Sequence, residues 1–228
     1  MTLQSRRAQL ADPGAELLDR AQALWSSYGR YILGAAVAVA VVAVLGFFMV
    51  RSRATAEAQA AGKLAEANLL FWQGQYDRSI DEAKQVAQQF PSTRAGNDAH
   101  RLIGDDAYWN GILRSQSADY KTAITEYRAY LAHEKNGVLA NSARRSLAYA
   151  LENDKQYAEA AKQYEQLVGA FDRESSGEFL MGAARCYQSL GRRDDALARL
   201  QRVIDEFGDT SSAIAARVRI AEIKAAAS

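Results

Sequence analysis

Twenty consecutive residues, Tyr31 to Val50, read YILGAAVAVAVVAVLGFFMV and hold no charged, proline or amide side chain. Arg30 stands immediately before the run, and Arg51 and Arg53 follow it. A helix rises about 1.5 Å per residue, so a run this long covers the roughly 30 Å hydrocarbon core of a bilayer. A cleaved secretion signal would instead need a basic stretch near the start and an apolar core of about 7–15 residues. Here thirty residues precede a longer core, and FFMVRSR closes it. The run is read as a transmembrane helix over 31–50. It divides the chain into an N-terminal tail and amphipathic helix (1–30), the span, and a domain over 51–228 tethered to a membrane surface.

Residues 51–228 suffice for one domain or a short repeat array with a real core. Prolines occur only at Pro13 and Pro91, and strand-like alternation of β-branched residues is absent after the span, which points to an all-helical protein. This part carries 24 Lys and Arg against 24 Asp and Glu. A net charge of zero argues against nucleic-acid binding, whose affinity draws on an excess of Lys and Arg. Cys186 is the only cysteine, so no intramolecular disulfide forms and cysteine usage leaves the compartment open.

Ahead of the span, Met1 to Ala11 is polar and reads as a tail. Asp12-Pro13 has the form of a helix start, Asp as N-cap and Pro at the first helical position. Leu17, Leu18, Ala21, Leu24, Trp25 and Tyr28 then share a face opposite Glu16, Asp19, Arg20 and Gln22. Two readings stand. The helix lies along the bilayer interface with Trp25, Tyr28 and Tyr31 at headgroup depth, or it packs on a partner or simply extends the span. Arg20 and Arg30 on one side and Arg51, Arg53 and Lys63 on the other do not fix an orientation.

After Ala-rich, helix-forming sequence from Ala54 to Ala67, one pattern recurs. The segments 74–91, 118–135, 155–172 and 191–208 each carry a turn, then a small residue within an apolar stripe. The small residues are Ser79, Ala123, Ala160 and Ala196, separated by 44, 37 and 36 residues. Each copy follows another helical stretch with its own small residues. Helix-turn-helix units at a period near 34 read as an α-solenoid. The small residue lets paired helices approach, an aromatic fills the groove between units, and Gly74 and Gly191 supply the turns.

These residues resemble the tetratricopeptide repeat family over about 59–208. The matching positions are Gly74, Tyr76 and Pro91, then Gly104, Tyr120, Ala123 and Tyr127, then Ala148, Tyr157, Ala160 and Tyr164, and last Ala184, Tyr187, Gly191 and Ala196. The fold implied is all-α: one transmembrane helix, about four repeats, and a C-terminal capping helix. Ser79 replaces the family's Ala, and only the first unit keeps its closing Pro. An insertion near 111–117 accounts for the spacing of 44 and is expected to lengthen a helix or bulge a turn. Ser211 to Ala225, with Ile214, Val218, Ala221 and Ile223 as apolar positions, suits the cap with a polar outer face that a solenoid needs.

No catalytic, cofactor-binding or metal-ligating constellation emerges. His100 and His133 lie in no HExxH and are read as exposed helix residues. Cys186, among Ala183, Ala184 and Tyr187, is read as a packed structural thiol. No phosphate-cradling glycine motif occurs. The adjacent acids Asp105-Asp106 and Asp194-Asp195 are read as solvated charges or caps. What remains is a binding surface. The resemblance implies a concave face lined by the first helix of each unit, which gives Asn68, Trp72, Arg101, Asp105, Tyr108, Trp109, Arg145, Tyr149, Glu152, Arg185 and Gln188.

The function expected is a non-enzymatic membrane scaffold that binds membrane or periplasmic proteins, with the lipid bilayer as its other partner. No nucleic acid or small-molecule substrate is expected. The architecture resembles that of the ancillary subunit of the bacterial Sec translocon. This likeness implies a single pass through the bacterial inner membrane, with the repeats in the periplasm. Two alternatives stay open: an accessory subunit stabilising a large respiratory or light-harvesting complex, and a recruiter in envelope biogenesis or regulation. A charge at the centre of the span costs about 2.5–3.5 kcal/mol on insertion. Val41→Arg is therefore expected to impair insertion, with carbonate extraction as the check. Release of the unaltered protein into the soluble fraction would contradict a span.

Overall fold

The structure, a computed structural model, describes residues 13–226. The polar stretch to Ala11 and the Asp12 cap lie outside the described residues. Among them there are nine α-helices and no strands: α1 (Pro13–Trp72), α2 (Tyr76–Gln89), α3 (Arg94–Arg114), α4 (Ser117–His133), α5 (Val138–Asn153), α6 (Tyr157–Leu167), α7 (Arg173–Ser189), α8 (Arg193–Glu206) and α9 (Ser211–Ala225). By contacts the chain forms two units, Met1–Thr55 and Ala56–Ser228.

In the first unit, the helix runs without a break from the amphipathic stretch through the apolar run. Its apolar side chains are exposed along its length, Trp25 at 60%, Tyr28 at 57% and Tyr31 at 61%. Arg30 lies 4.8 Å from the Tyr31 ring centre and donates to its hydroxyl at 3.0 Å. Among the described residues, one helix is long and apolar enough to cross a membrane.

In the second unit, antiparallel helices pair in chain order: the end of α1 with α2, then α3 with α4, α5 with α6, and α7 with α8, with α9 closing the row. Three of the turns inside these pairs are built alike. The Gln75 N–H donates to the Leu70 carbonyl and the Gly74 N–H to Phe71, both at 2.9 Å. Arg192 and Gly191 repeat this with Tyr187 and Gln188, and Gln156 and Lys155 repeat it with Leu151 and Glu152. This helix ending requires a left-handed residue. Gly74 and Gly191 adopt it at φ +72°, as the sequence predicts, but Lys155 must hold φ +63° with a side chain.

The four aligned small residues, Ser79, Ala123, Ala160 and Ala196, are all at 0% exposure. Around them Tyr127, Tyr130, Tyr164 and Phe179 are the largest fully buried side chains. The approach is close: a Cβ added at Gly104 would stand 2.8 Å from the Tyr127 ring. Two apolar clusters result, one from α1 to α3 and one from α3 to α9, with Ile80 packed against both.

The insertion lengthens a helix: α3 has 21 residues against 16 in α5 and 17 in α7. Its last turns reach back to α2, where Asn110 and Arg114 donate to the two Asp77 oxygens at 2.9 and 2.5 Å. The capping helix differs from expectation. Ala213, Ala216 and Ile223 of α9 are buried, whereas Ile214 and Val218 stay 64% and 56% exposed and Ala221 is exposed. The exposed side of the helix mixes this apolar strip with Arg217, Arg219, Glu222 and Lys224. The reason is its neighbours: α8 and α7 cover one side, and their packing selects the face that starts at Ala213.

The three turns yield a stability prediction. A left-handed side-chain residue costs about 1–2 kcal/mol, and glycine's extra freedom in the unfolded chain returns about 0.4–1 kcal/mol of that. Lys155→Gly is expected to stabilise the repeats by roughly 0.5–1 kcal/mol, read as a raised urea midpoint. An unchanged or lowered midpoint would mean that the turn is not strained.

Candidate functional site

The first helices of the pairs, the end of α1 with α3, α5, α7 and α9, carry the side chains predicted for a concave face. They are set in register by their ends. The Glu57 carboxylate accepts from the backbone N–H groups of Arg94 and Ala95 at 2.7 and 3.0 Å, capping α3. Glu174 caps α9 in the same way, accepting from the N–H groups of Ser211 and Ser212, both at 3.1 Å. An anion at a helix N-terminus satisfies orphan donors and the helix dipole. Each acid stands 37 residues before the first residue it caps, a spacing that was visible in the sequence and passed unused.

Most of the predicted face is occupied by contacts within the chain. Asn68 donates to the Leu64 carbonyl at 2.9 Å, and Trp72 stands 80% exposed, edge-on to Phe71 at 5.2 Å. Arg101 pairs with Asp105 at 2.8 Å, and the Tyr127 hydroxyl donates to the other Asp105 oxygen at 2.8 Å. Tyr108 packs between Trp109 and Tyr120, with ring centres 6.2 and 6.1 Å away. Arg145 stacks over Phe171 at 5.4 Å, and Tyr149 lies 5.9 Å from Tyr164. Glu152 accepts from the Tyr164 hydroxyl at 2.5 Å and from Arg185 Nε and Nη2 at 3.0 and 3.1 Å. Gln188 accepts from Arg219 Nε at 3.0 Å.

A recurring device emerges, in which a carboxylate is held between a tyrosine hydroxyl and an arginine. Asp105 sits between Tyr127 and Arg101, Glu152 between Tyr164 and Arg185, and Glu165 between Tyr187 and Arg199. The last two each link three successive helices. Burial, reinforced by the neighbouring carboxylate, holds the hydroxyls of Tyr127, Tyr164 and Tyr187 above the usual phenol range, so they remain donors at neutral pH. Sequence reasoning missed the third member because Glu165 and Arg199 lie on second helices.

The open space of the face gathers toward the C-terminal end. A cavity of about 320 Å³ between α7 and α9 has a floor of Met181, Ala184, Leu200 and Val218 and a rim of Arg185 and Arg219. A second, of about 340 Å³, adds Tyr149, Glu178 and Ser211, and shares Met181 and Arg185 with the first. The structure thus brings Tyr149, Arg185 and Gln188 to one groove, while Asn68, Trp72, Tyr108 and Trp109 line neither cavity. Met181, Val218 and Arg219 belong to this groove and were not predicted. An apolar floor with charged rims can seat side chains of a polypeptide.

Two of the polar readings need correction. Asp106 is not solvated: it is fully buried, with the Ser79 hydroxyl 2.6 Å away, and burial pushes its carboxyl up to about 7. Asp105 is half-buried in its ion pair. His100 is not exposed either, since its Nδ1 lies 2.6 Å from Glu126 across to α4. Asp194 and Asp195 do open α8, where Asp195 pairs with Arg192 at 2.8 Å. Cys186 is a packed thiol, buried and pushed up to about 12 by burial. Among the described residues no group of three or more His, Cys, Asp or Glu is placed to hold a metal ion.

Residues 151–220 match the tetratricopeptide repeat family model. Comparison with curated proteins gives no match. Among solved structures, the chain is similar to the nearly identical TPR-like repeats of a Podosopora anserina protein described as a kinesin light chain. The TM-score is 0.52 at 18% identity, covering 73% of this chain and 86% of that one. A single-substitution form of the same repeats gives 0.52 at 17% identity, covering 73% and 85%. The fold is a TPR-like solenoid.

The shared carboxylate at Glu152 generates a double-mutant cycle. Groups in one hydrogen-bonded network couple by about 0.5–3 kcal/mol. Tyr164→Phe and Arg185→Gln are expected to be non-additive in urea unfolding by at least roughly 0.5 kcal/mol. Strict additivity would mean that the two contacts stabilise the array independently.

Proposed function

We propose that this protein is a membrane-anchored, non-enzymatic scaffold whose repeats bind protein partners in the groove along α5, α7 and α9. The observation that carries the reading is that groove: an apolar floor at Met181 and Val218 beneath arginines already fixed by Glu152 and Gln188. Side chains held in place lose little further freedom when a partner binds, which favours affinity. The apolar helix supports the anchor, and the repeat match supports a protein as the ligand. Anchoring raises the effective concentration of the repeats near membrane partners, so modest intrinsic affinity suffices. A single pass through a bacterial inner membrane, with the repeats in the periplasm, follows the architectural likeness to the ancillary translocon subunit.

One observation favours the accessory-subunit reading alongside. Trp72, Trp109 and Leu113 are exposed at 80%, 44% and 69%, and the last two lie on the lengthened part of α3. Large exposed apolar side chains suit a fixed seat in a larger assembly.

The test is co-purification of the full chain from membranes in mild detergent. The pair Met181→Glu and Val218→Glu is expected to leave the melting temperature within a few degrees and to reduce recovered partner at least tenfold. Trp72→Ala with Leu113→Ser is expected to have a smaller effect unless the accessory reading holds. Partner recovery at wild-type yield from the groove variant would refute the groove. Protease added outside spheroplasts is expected to cleave the repeats, and cleavage only after lysis would reverse the orientation.

A further inference from the structure

The hydroxyl of Ser79 on α2 has one proton and two oxygen neighbours, the Ala67 carbonyl of α1 at 2.9 Å and Asp106 Oδ2 of α3 at 2.6 Å. All three groups are shut away from solvent: Ala67, Ser79 and Asp106 are each at 0% exposure. If Asp106 is ionised, the one hydrogen turns to the carboxylate: the bond from α2 to α1 is lost, the Ala67 carbonyl keeps only its donor within α1, and Asp106 Oδ1 stays buried without one. That leaves an unmet desolvation penalty. If Asp106 carries a proton, the count closes: its O–H donates to Ser79 Oγ, and the Ser79 O–H donates to the Ala67 carbonyl.

We propose that this Asp106–Ser79–Ala67 relay is a proton-gated latch that fastens the end of α1 to α2 and α3. The surroundings favour the neutral acid. On α2, Asp77 faces it and repels a second charge. On α3, its chain neighbour Asp105 does the same, and α1 presents the carbonyl dipole of Ala67. The nearby cations are already engaged: Arg114, with the Asn110 amide, holds Asp77, and Arg101, with the Tyr127 hydroxyl of α4, holds Asp105. Asp106 Oδ1 has no partner, which further disfavours a charged carboxylate there.

The sign follows from linkage. Burial raises the folded-state value of Asp106 to about 7, above the ordinary carboxylate value. Between roughly pH 4 and 7 the closed state binds the proton that the open state has lost, so closure weakens as pH rises through this window. Above about 7 both states are ionised and the dependence levels off. From pH 6 to 8.5, opening of the α1 end is expected to increase about tenfold. Ser79, where the repeat pattern has alanine, and Asp106, which an unconstrained helix would leave in water, thus have one joint role.

The test uses the full chain in lipid nanodiscs. Infrared difference spectra between wild type and Asp106→Asn are expected to show a protonated carboxylic acid at pH 6 that disappears by pH 8.5. Hydrogen exchange over residues 60–72, corrected for its intrinsic pH dependence, is expected to speed up about tenfold across that range in wild type and to stay flat in Asp106→Asn. Ser79→Ala separates the proton from the latch: it should keep the acid band and, by linkage, a pH dependence, but without the bond to Ala67 its exchange over residues 60–72 should be faster than wild type at pH 6. Absence of the acid band at pH 6 overturns the proposal. So does exchange at pH 6 that is no faster in Ser79→Ala than in wild type, a comparison that holds even if Asp106→Asn does not fold.

Discussion

The repeat unit rests on contact between helices at positions where only a small residue fits. Ala123, Ala160 and Ala196, with Ser79 in the first unit, are wholly buried on the second helix of each pair. A methyl group there lets the partner helix come close enough for its neighbours to interlock. Large rings then fill what remains, as Tyr127 does against Gly104. Interiors packed at this density tolerate little change in volume. Because each pair buries its apolar face only by stacking on the next, stability is built from nearest-neighbour terms along the row.

Polar contacts fix what apolar packing leaves adjustable. Glu57 and Glu174 set the height of one first helix against the next. The tyrosine–carboxylate–arginine groups at Asp105, Glu152 and Glu165 tie adjacent helices by bonds that demand particular angles as well as distances. The charged side chains of the inner face therefore have a first duty to the fold. Where they also border open space, as Arg185 does, they arrive already oriented. That places the adaptable part of the surface at Met181, Ala215 and Val218, which have no polar duties.

The features legible in the sequence were those set by local chemistry. Glycines at 74 and 191, the small-residue register and the extra turn after Asn110 all follow from backbone geometry and period. What escaped depends on partners distant in sequence. His100 meets Glu126 across 26 residues, and Asp106 turns inward because Ser79 offers it a polar contact 27 residues away. Lys155 fills a glycine-like turn position that composition does not advertise. In α9 the apolar residues fit two helical faces equally, Ala213–Ala216–Ile223 and Ile214–Val218–Ala221, and only the packing of α8 and α7 decides between them. The groove residue Val218 was missed for that reason. Arg101 and Arg185 were singled out, but their internal pairing was not, because pairing requires knowing which carboxylates stand opposite.

The central claim is that the groove of α5, α7 and α9 is where a membrane-associated protein binds. The most direct measurement is site-specific photo-crosslinking in intact membranes, with the reactive group placed at Val218 in the groove or at Lys121 on the exposed face of α4. The account predicts discrete protein adducts from position 218 and none, or only diffuse ones, from position 121. Adducts from position 121 with none from 218 would contradict it.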